Sequence, residues 1–440
     1  MPIVINNKSY DIAYGTTPIE KMGGPKLTYS MYGENIPIIE SIIGEKVIKV
    51  QGSDYILWCL TENGNLYGCG NNSGGQHGTG DKVNVTTLTK RAENVRDFAS
   101  NNNVTFYIDN NNDLYGCGWN TYGQQGTGEE GSGTEVTAFT KKTSNVKDVY
   151  VTGSGTFYID NNNDLYGCGR NNFGQFGTGD KNNVLTFIHL ASNVKYLRNN
   201  NAYDSTFYLT NNGDLYGAGA NTYGQQGSGE SGNTTHVLTF TKRASNVKEF
   251  MSATSSTFYI DNNNVLYGTG YNRSGQLGNG TTENVTTFTK IAENIKDIIC
   301  DTNTTWYITN NDELFGTGYN YWGSQGTGDT TNVLTFTKRA ENVKEVFATG
   351  SVTWYIDNNN DLYGCGRNNN GQQGSGDTKD VLTLTKRASN VAELLIGDFA
   401  TRYIDLDGQV FSCGKNNNSQ QGDGTTTDVL TFTKVELPKE

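Results

Sequence analysis

One short phrase returns eight times along this 440-residue chain, and that recurrence limits the possible folds more than any other feature. In its third copy the phrase reads Leu165-Tyr166-Gly167-Cys168-Gly169, then Asn171, then Gly174-Gln175 and Gly177. The other copies begin at Leu66, Leu114, Leu215, Leu266, Leu314 and Leu362. A degraded last copy reads Val410-Phe411-Ser412-Cys413-Gly414. Successive starts lie 48 to 51 residues apart. A fixed period of this size marks one supersecondary unit stacked on copies of itself. A single such unit cannot bury its own apolar face, so the array folds as one body.

Within the third unit, residues 146–151, 156–160, 164–168 and 185–188 read as four strands, A to D. Each is rich in Val, Ile, Thr, Tyr and Phe and bounded by Gly, Asn or Asp. Asn161-Asn162-Asn163 supplies the tight turn between B and C, because Asn tolerates positive φ and bonds its own backbone. Four short antiparallel strands repeated eight times predict an all-β fold, a β-propeller of about eight four-stranded blades. Closing the ring removes the open sheet edges. An open β-solenoid is the alternative, but four strands per fifty residues exceed what a solenoid coil needs.

Residues 1–44 stand apart from the propeller region, 45–440. Four of the five prolines fall there (Pro2, Pro18, Pro25, Pro37), which predicts an N-terminal arm with a few short strands. Residues 36–40 line up with the Leu-Thr-Phe-Thr-Lys stretch that closes each repeat, giving nine D-like segments for eight A-B-C sets. The extra segment suits a clasp between first and last blades, with the arm on the outer edge near the last blade and available for docking to a larger assembly.

Composition removes several function classes. The net charge is −12, and Lys and Arg recur singly at one repeat position. A nucleic-acid partner needs a basic stripe to displace counterions, so neither nucleic acid nor an anionic membrane is expected. No run of about 18 apolar residues exists to span a bilayer. The N-terminus lacks a basic segment followed by an apolar one, so the expected protein is made in the cytoplasm without a signal peptide. Five of the seven cysteines (Cys69, Cys117, Cys168, Cys365, Cys413) share one repeat slot, where equivalent directions from different units give poor pairing geometry. With no C-x-x-C and only three histidines (His77, His189, His236), no metal site is expected.

The chemical motifs read as structure. Gly126–Gly131 and Gly227–Gly232 both match G-x-G-x-x-G, but each leads into a strand and carries acids that would repel phosphate. Asp109-Asn110-Asn111-Asn112-Asp113 begins like a calcium loop, yet Leu114 replaces the sharp-turn glycine and no bidentate acid closes it; a B-to-C hairpin is the better reading. The three histidines lie in unrelated units, which leaves no Ser/His/Asp or Cys/His set. No catalytic residue, metal or cofactor is assigned, and an enzyme is not expected.

The phrase Leu-Tyr-Gly-Cys-Gly, Asn, Gly-Gln-x-Gly-x-Gly at a period near fifty resembles the regulator of chromosome condensation repeat family of β-propellers across about residues 45–440. The resemblance implies a protein-binding propeller. Well-studied members have seven blades against eight repeats here, and nothing matches their nucleotide-exchange wedge or basic chromatin contact. The Asn/Thr-rich acidic surface is more similar to bacterial and phage-borne members.

Specificity belongs where exposed copies disagree. After the second Gly of the phrase stand Asn71, Trp119, Arg170, Ala220, Tyr271, Tyr319, Arg367 and Lys415; three residues later stand Gly74, Tyr122, Phe173, Tyr223, Ser274, Trp322, Asn370 and Asn418. Trp119, Tyr122, Phe173, Tyr223, Tyr271, Tyr319, Tyr321 and Trp322 form an aromatic crescent confined to units two to six. The length excess falls on the same face, in C-to-D at Glu129, Glu130 and Glu230 and in A-to-B at Asn201 and Tyr203. The expected function is a non-enzymatic binding module, best placed on a phage tail or tail-like bacteriocin. There it would hold a cell-surface glycan or protein receptor, or another particle subunit. The alternatives are an intracellular protein-interaction scaffold or inhibitor for the function, and packing between neighbouring blades for the aromatics.

Overall fold

The structure, a computed structural model, describes residues 2–5, 8–11, 47–52, 56–198, 205–397, 399–407, 409–416 and 427–434. Eight antiparallel blades follow one another over residues 47–92, 95–143, 146–191, 194–244, 247–292, 295–340, 343–388 and 391–434. They build an eight-bladed β-propeller, and no helix occurs among the described residues. The blade count thus follows the eight copies of the phrase rather than the seven of well-studied members of the family it resembles.

Each blade is ordered A-B-C-D. In blade three A is Val146–Val151, B Gly155–Asp160, C Leu165–Gly169 and D Val184–Ala191. Consecutive A strands touch near the axis, so A is innermost and D outermost. B is buried along its whole length, whereas seven of the eight residues of D are partly or fully exposed. D is eight residues long, twice the expected extent. Register shifts between Leu165 and Tyr166 and between Gly167 and Gly169 let it keep pairing through polar residues that conceal its second half in the sequence.

The core lies between blades as much as within them. Tyr158 and Tyr166 stack across strands B and C at 4.8 Å, and Phe187 of D meets Tyr158 edge-on at 5.1 Å. One apolar cluster joins Phe157, Ile159, Leu165 and Phe176 of blade three to Val194, Leu197 and Tyr208 of blade four. Apolar sharing of this kind makes the ring the unit of stability.

Polar contacts reinforce the same seams. In blades one to seven the C–D loop lies along the D strand of the next: Gly179 N donates to Leu238 O at 2.7 Å beside an isolated Thr178–Thr239 bridge. Part of the outer edge left open by D is thereby paired. The repeated cysteine slot has a related role. The Cys168 thiol donates to Gln124 O of the preceding blade at 3.5 Å. Where Thr317 replaces cysteine, its hydroxyl donates to Gly275 O at 2.9 Å. None of the seven cysteines forms a disulfide, and six of them are buried.

Before blade one, β1 (Pro2–Ile5) and β2 (Lys8–Asp11) form a hairpin. Its second strand pairs in parallel with blade one's A strand through Asp11 and Lys49, and β1 lies beside the A and B strands of blade eight. The hairpin therefore uses the free inner edge of blade one and not the outer edge that the sequence suggested. Residues 36–40, the ninth D-like segment, lie outside the described residues.

Candidate binding face

Antiparallel order places the A–B and C–D connections of all blades on one side of the ring. They are tied together there: the residue after the second glycine donates its N–H to the A–B loop of its own blade, as in Trp119 N to Asn103 O, Tyr319 N to Asn303 O and Arg367 N to Ser351 O, each at 2.9 Å. The invariant Asn of the phrase braces the C–D loop from within. In blade six Asn320 Oδ1 accepts from Gln325 N at 2.7 Å, while its Nδ2 donates to Thr327 Oγ1 at 2.9 Å and to Asp329 O at 3.1 Å. A buried amide bonded through both its oxygen and its nitrogen holds the loop in one shape. The variable side chains consequently stand on a rigid rim.

The two variable columns meet each other across the seams. The later position of one blade contacts the earlier position of the next: Tyr122 lies under the Arg170 guanidinium at 5.4 Å, Tyr223 meets Tyr271 edge-on at 4.9 Å, and Trp322 lies under Arg367 at 4.9 Å. At the first seam Trp119 covers Gly74 so closely that an added Cβ would stand 1.6 Å from its Cδ1. A small residue on one side thus answers a large one on the other.

The predicted crescent is therefore both seam and surface. Trp119 is 37 % exposed, Tyr223 36 % and Tyr321 59 %; Tyr122, Phe173, Tyr271, Tyr319 and Trp322 are half-buried. Phe173 packs edge-on against His236 of the next blade at 5.1 Å. The crescent is divided by Ala220, which is buried between Phe173 and Tyr223 in blade order. Glu129, Glu130 and Glu230 are exposed. Glu130 spans to the neighbouring loop, where its Oε2 accepts from Asn183 Nδ2 at 2.6 Å. Asn201 and Tyr203 lie outside the described residues.

The richest part of the rim runs from blade six to blade eight. Tyr319 and Tyr321 are near-parallel at 6.3 Å, Tyr321 meets Trp322 edge-on at 4.8 Å, Arg367 lies between the Trp322 and Phe399 rings at 4.9 and 5.4 Å, and Lys415 stands over Phe399 at 5.0 Å. Each cation–ring contact contributes about 0.5–1 kcal/mol at an exposed site. The two variable columns contain Tyr319, Trp322, Arg367 and Lys415 but miss Phe399, which joins the last two. Phe399 occupies an A–B position where Asn103, Ser154, Ser255, Asn303 and Ser351 stand in other blades, so comparing that column as well would have exposed it.

A second set of residues sequence reasoning passed over lies at the axis. The third position of the A strand carries Asp97, Asp148, Glu249, Asp297, Glu345 and Glu393 in six blades. Lys49 of blade one reaches Asp97 Oδ1 at 2.6 Å, and Arg198 approaches Glu249 Oε1 at 3.4 Å. Burial raises the Asp97 carboxyl against the pull of Lys49. It pushes Glu249 up to about 8 against the pull of Arg198. One acid per fifty residues is inconspicuous in a linear reading, and only the ring brings them to one level.

The G-x-G-x-x-G stretches are loops with their donors in use: Gly128 N bonds Leu185 O at 2.9 Å and Gly131 N bonds Thr121 O at 3.2 Å. The Asp109 loop is a hairpin turn, its Oδ1 accepting from Asn111 N and Asp113 N at 2.9 Å around Asn112 at φ 64°. No cluster of three or more metal-ligating side chains occurs among the described residues.

No protein-family model and no curated protein matches the sequence. Solved structures do resemble the fold. Human WBSCR16 superposes with a TM-score of 0.52 at 15% identity, over 74% of this chain and 94% of that one. Saccharomyces cerevisiae Prp20p, a structure reported together with its binding properties to Gsp1p and histones, gives 0.51 at 17% over 84% and 94%. Yeast RCC1 (Prp20) bound to Kap60 gives 0.52 at 14% over 96% and 91%. At these identities the likeness concerns architecture alone: the chain shares its fold with the RCC1-type propellers.

Proposed function

We propose that this protein is a non-enzymatic binding module that holds its partner on the face built from the A–B and C–D loops. One observation carries the reading: a rigid rim changes its side chains blade by blade while the opposite face repeats itself. On that opposite face the B–C turns keep one tight hairpin form, with a left-handed residue at the equivalent point in blades one to seven: Asn112, Asn163, Asn264 and Asn360 in four of them, Gly64 and Gly213 in two and Asp312 in one. Uniformity there is what fold maintenance requires, and variety on the rim is what recognition requires. The RCC1-type structures, which include a Kap60 complex, make a protein-binding role compatible with the architecture. A place on the outside of a phage tail or tail-like particle, with residues 1–44 docked to the assembly, extends this reading and is tested by the presence of the chain in purified particles.

The direct test compares faces. Tyr319→Ala with Trp322→Ala should abolish capture of the partner while leaving the thermal midpoint within a few degrees. Asn161→Ala with Asn358→Ala, on the opposite face, should leave capture intact. Loss of capture by the second pair alone would remove the assignment.

A further inference from the structure

The seam between blades six and seven departs from the others in a way that adds a ligand's chemistry to the proposed binding face, and the ligand assignment rests on that face being the one used. In six C–D loops a Gln side chain turns back to accept the N–H of the later variable residue: Gly74, Tyr122, Phe173, Tyr223, Ser274 and Asn370 each donate to Gln Oε1 at 2.8–3.0 Å. In blade six Ser324 takes the place of that Gln, and its hydroxyl donates instead to Tyr319 O at 3.2 Å. The Trp322 N–H is left without its usual acceptor.

Next to it stands Arg367. Its guanidinium is held between two rings at 4.9 and 5.4 Å, forms no ion pair or hydrogen bond through its side chain with any described residue, and has its Nε shielded from water without an acceptor. Rings fix its plane and leave its terminal nitrogens, which unlike Nε are not shielded from water, to an outside oxyanion. Arg170 at the Tyr122 seam differs, because the Asn172 amide, once turned so that its oxygen faces the guanidinium, accepts from Nε and a terminal nitrogen at 3.0 and 3.1 Å. Trp322, the ring under Arg367, also meets the 59 % exposed Tyr321 ring edge-on, and Tyr321 offers a flat platform to solvent.

We propose that this seam is a binding site for a carboxylate-bearing sugar of an acidic glycan. The carboxylate pairs with Arg367 and the Trp322 N–H, and the C–H face of the ring lies on Tyr321. Charge complementarity sets the anion, since the site offers donors and a cation on a protein of net charge −12. The backbone sets the sugar over a peptide: the loop N–H groups of Tyr319, Gly323 and Gly326 are already bonded to Asn303 O, Asn320 O and Gly323 O. An extended peptide would find no strand edge there to pair with, whereas a sugar needs only a ring platform and a few side-chain donors.

The test is titration of the full chain with oligogalacturonate, with 3′-sialyllactose as a second carboxylate source and carboxyl-reduced oligogalacturonate as the neutral control. Binding to at least one carboxylated sugar and at least about tenfold weaker binding to the neutral one is expected, the equivalent of one hydrogen bond to a charged group. Arg367→Met keeps the aliphatic stem between the rings and should bring the carboxylated sugar down to the neutral level with an unchanged thermal midpoint. Tyr321→Ala should weaken both sugars, and Arg170→Met should change neither. Equal binding by Arg367→Met and wild type, absence of binding to either carboxylated sugar at millimolar concentration, or Arg367-dependent binding of a Glu-rich peptide in place of the sugars would each overturn the assignment. If the sugars fail while the Tyr319/Trp322 pair still abolishes partner capture, the site is wrong and the binding face stands.

Discussion

The first glycine of each Leu-Tyr-Gly phrase has a single steric cause, which makes it the sharpest place to test the packing. In blade six Gly316 lies in an extended strand with no unusual φ, so backbone strain plays no part there. An added Cβ would stand 2.4 and 2.6 Å from Cζ3 and Cε3 of Trp306 and 2.7 Å from Gln325 Oε1. Carbon atoms rest at about 3.5–4.0 Å, so the indole would have to retreat by about an ångström. It has nowhere to go: Trp306 is fully buried against Ile308, Leu314, Val343 and Val346. Gly316→Ala should therefore cost near the upper end of the roughly 1–3 kcal/mol seen for overpacking. Trp306→Leu alone should cost about 2–4 kcal/mol for the lost contacts and cavity.

Together the two substitutions relieve each other, and the double variant should be more stable than their sum by about 1–2 kcal/mol. Urea unfolding followed by circular dichroism gives the four stabilities, with an unchanged m-value as the check that the ring still unfolds as one unit. Additive costs within about 0.5 kcal/mol, or a Gly316→Ala protein as stable as wild type, would refute the reasoning. Blade eight already carries the paired change: Ser412 replaces the glycine, and the residue opposite it is Arg402 instead of an aromatic.

Two further outcomes come from buried groups. His77 is stacked on Trp58 at 4.9 Å with neither ring nitrogen bonded, and burial, aided by Arg91, brings its pKa down to about 4. The unfolded chain then binds the extra proton between about 6.5 and 4, so this residue costs stability as pH falls through that window. His77→Gln, which installs the residue found at this slot in units two, four, six, seven and eight, should narrow the difference in thermal midpoint between pH 7.5 and pH 5; an unchanged difference would contradict the assignment. The buried thiols Cys117 and Cys168 are pushed up by desolvation and should resist maleimide until denaturant is added, with half-buried Cys69 the one expected to label in the native state. Mass spectrometry showing labelled Cys117 or Cys168 in the folded protein would count against the seam geometry.

The recurrence at about fifty residues carried the architecture because both the strands and the turns repeat with it. Short apolar B strands and Asn turns are local signals, and they appear where residues such as Phe157-Tyr158-Ile159 and Asn161-Asn162-Asn163 placed them. The second half of each D strand was hidden because its polar residues face water and pair only through bulges. On the rim, Trp322 and Tyr321 were legible as departures from the repeat. That Trp322 belongs with Arg367 was not, since those partners are 45 residues apart and meet only when blade six packs on blade seven. The acids around the axis escaped for the same reason: each is one unremarkable position until the ring assembles them.

The account stands or falls on which face of the propeller meets its partner. Hydrogen–deuterium exchange of the full chain, alone and saturated with the captured partner, reads this directly. Slower exchange should be confined to the A–B and C–D loops, strongest at residues 319–324 and 349–351 and at the 367–371 loop. Protection confined to the B–C turns at residues 109–113, 160–164 and 357–361, with the rim unchanged, would contradict it.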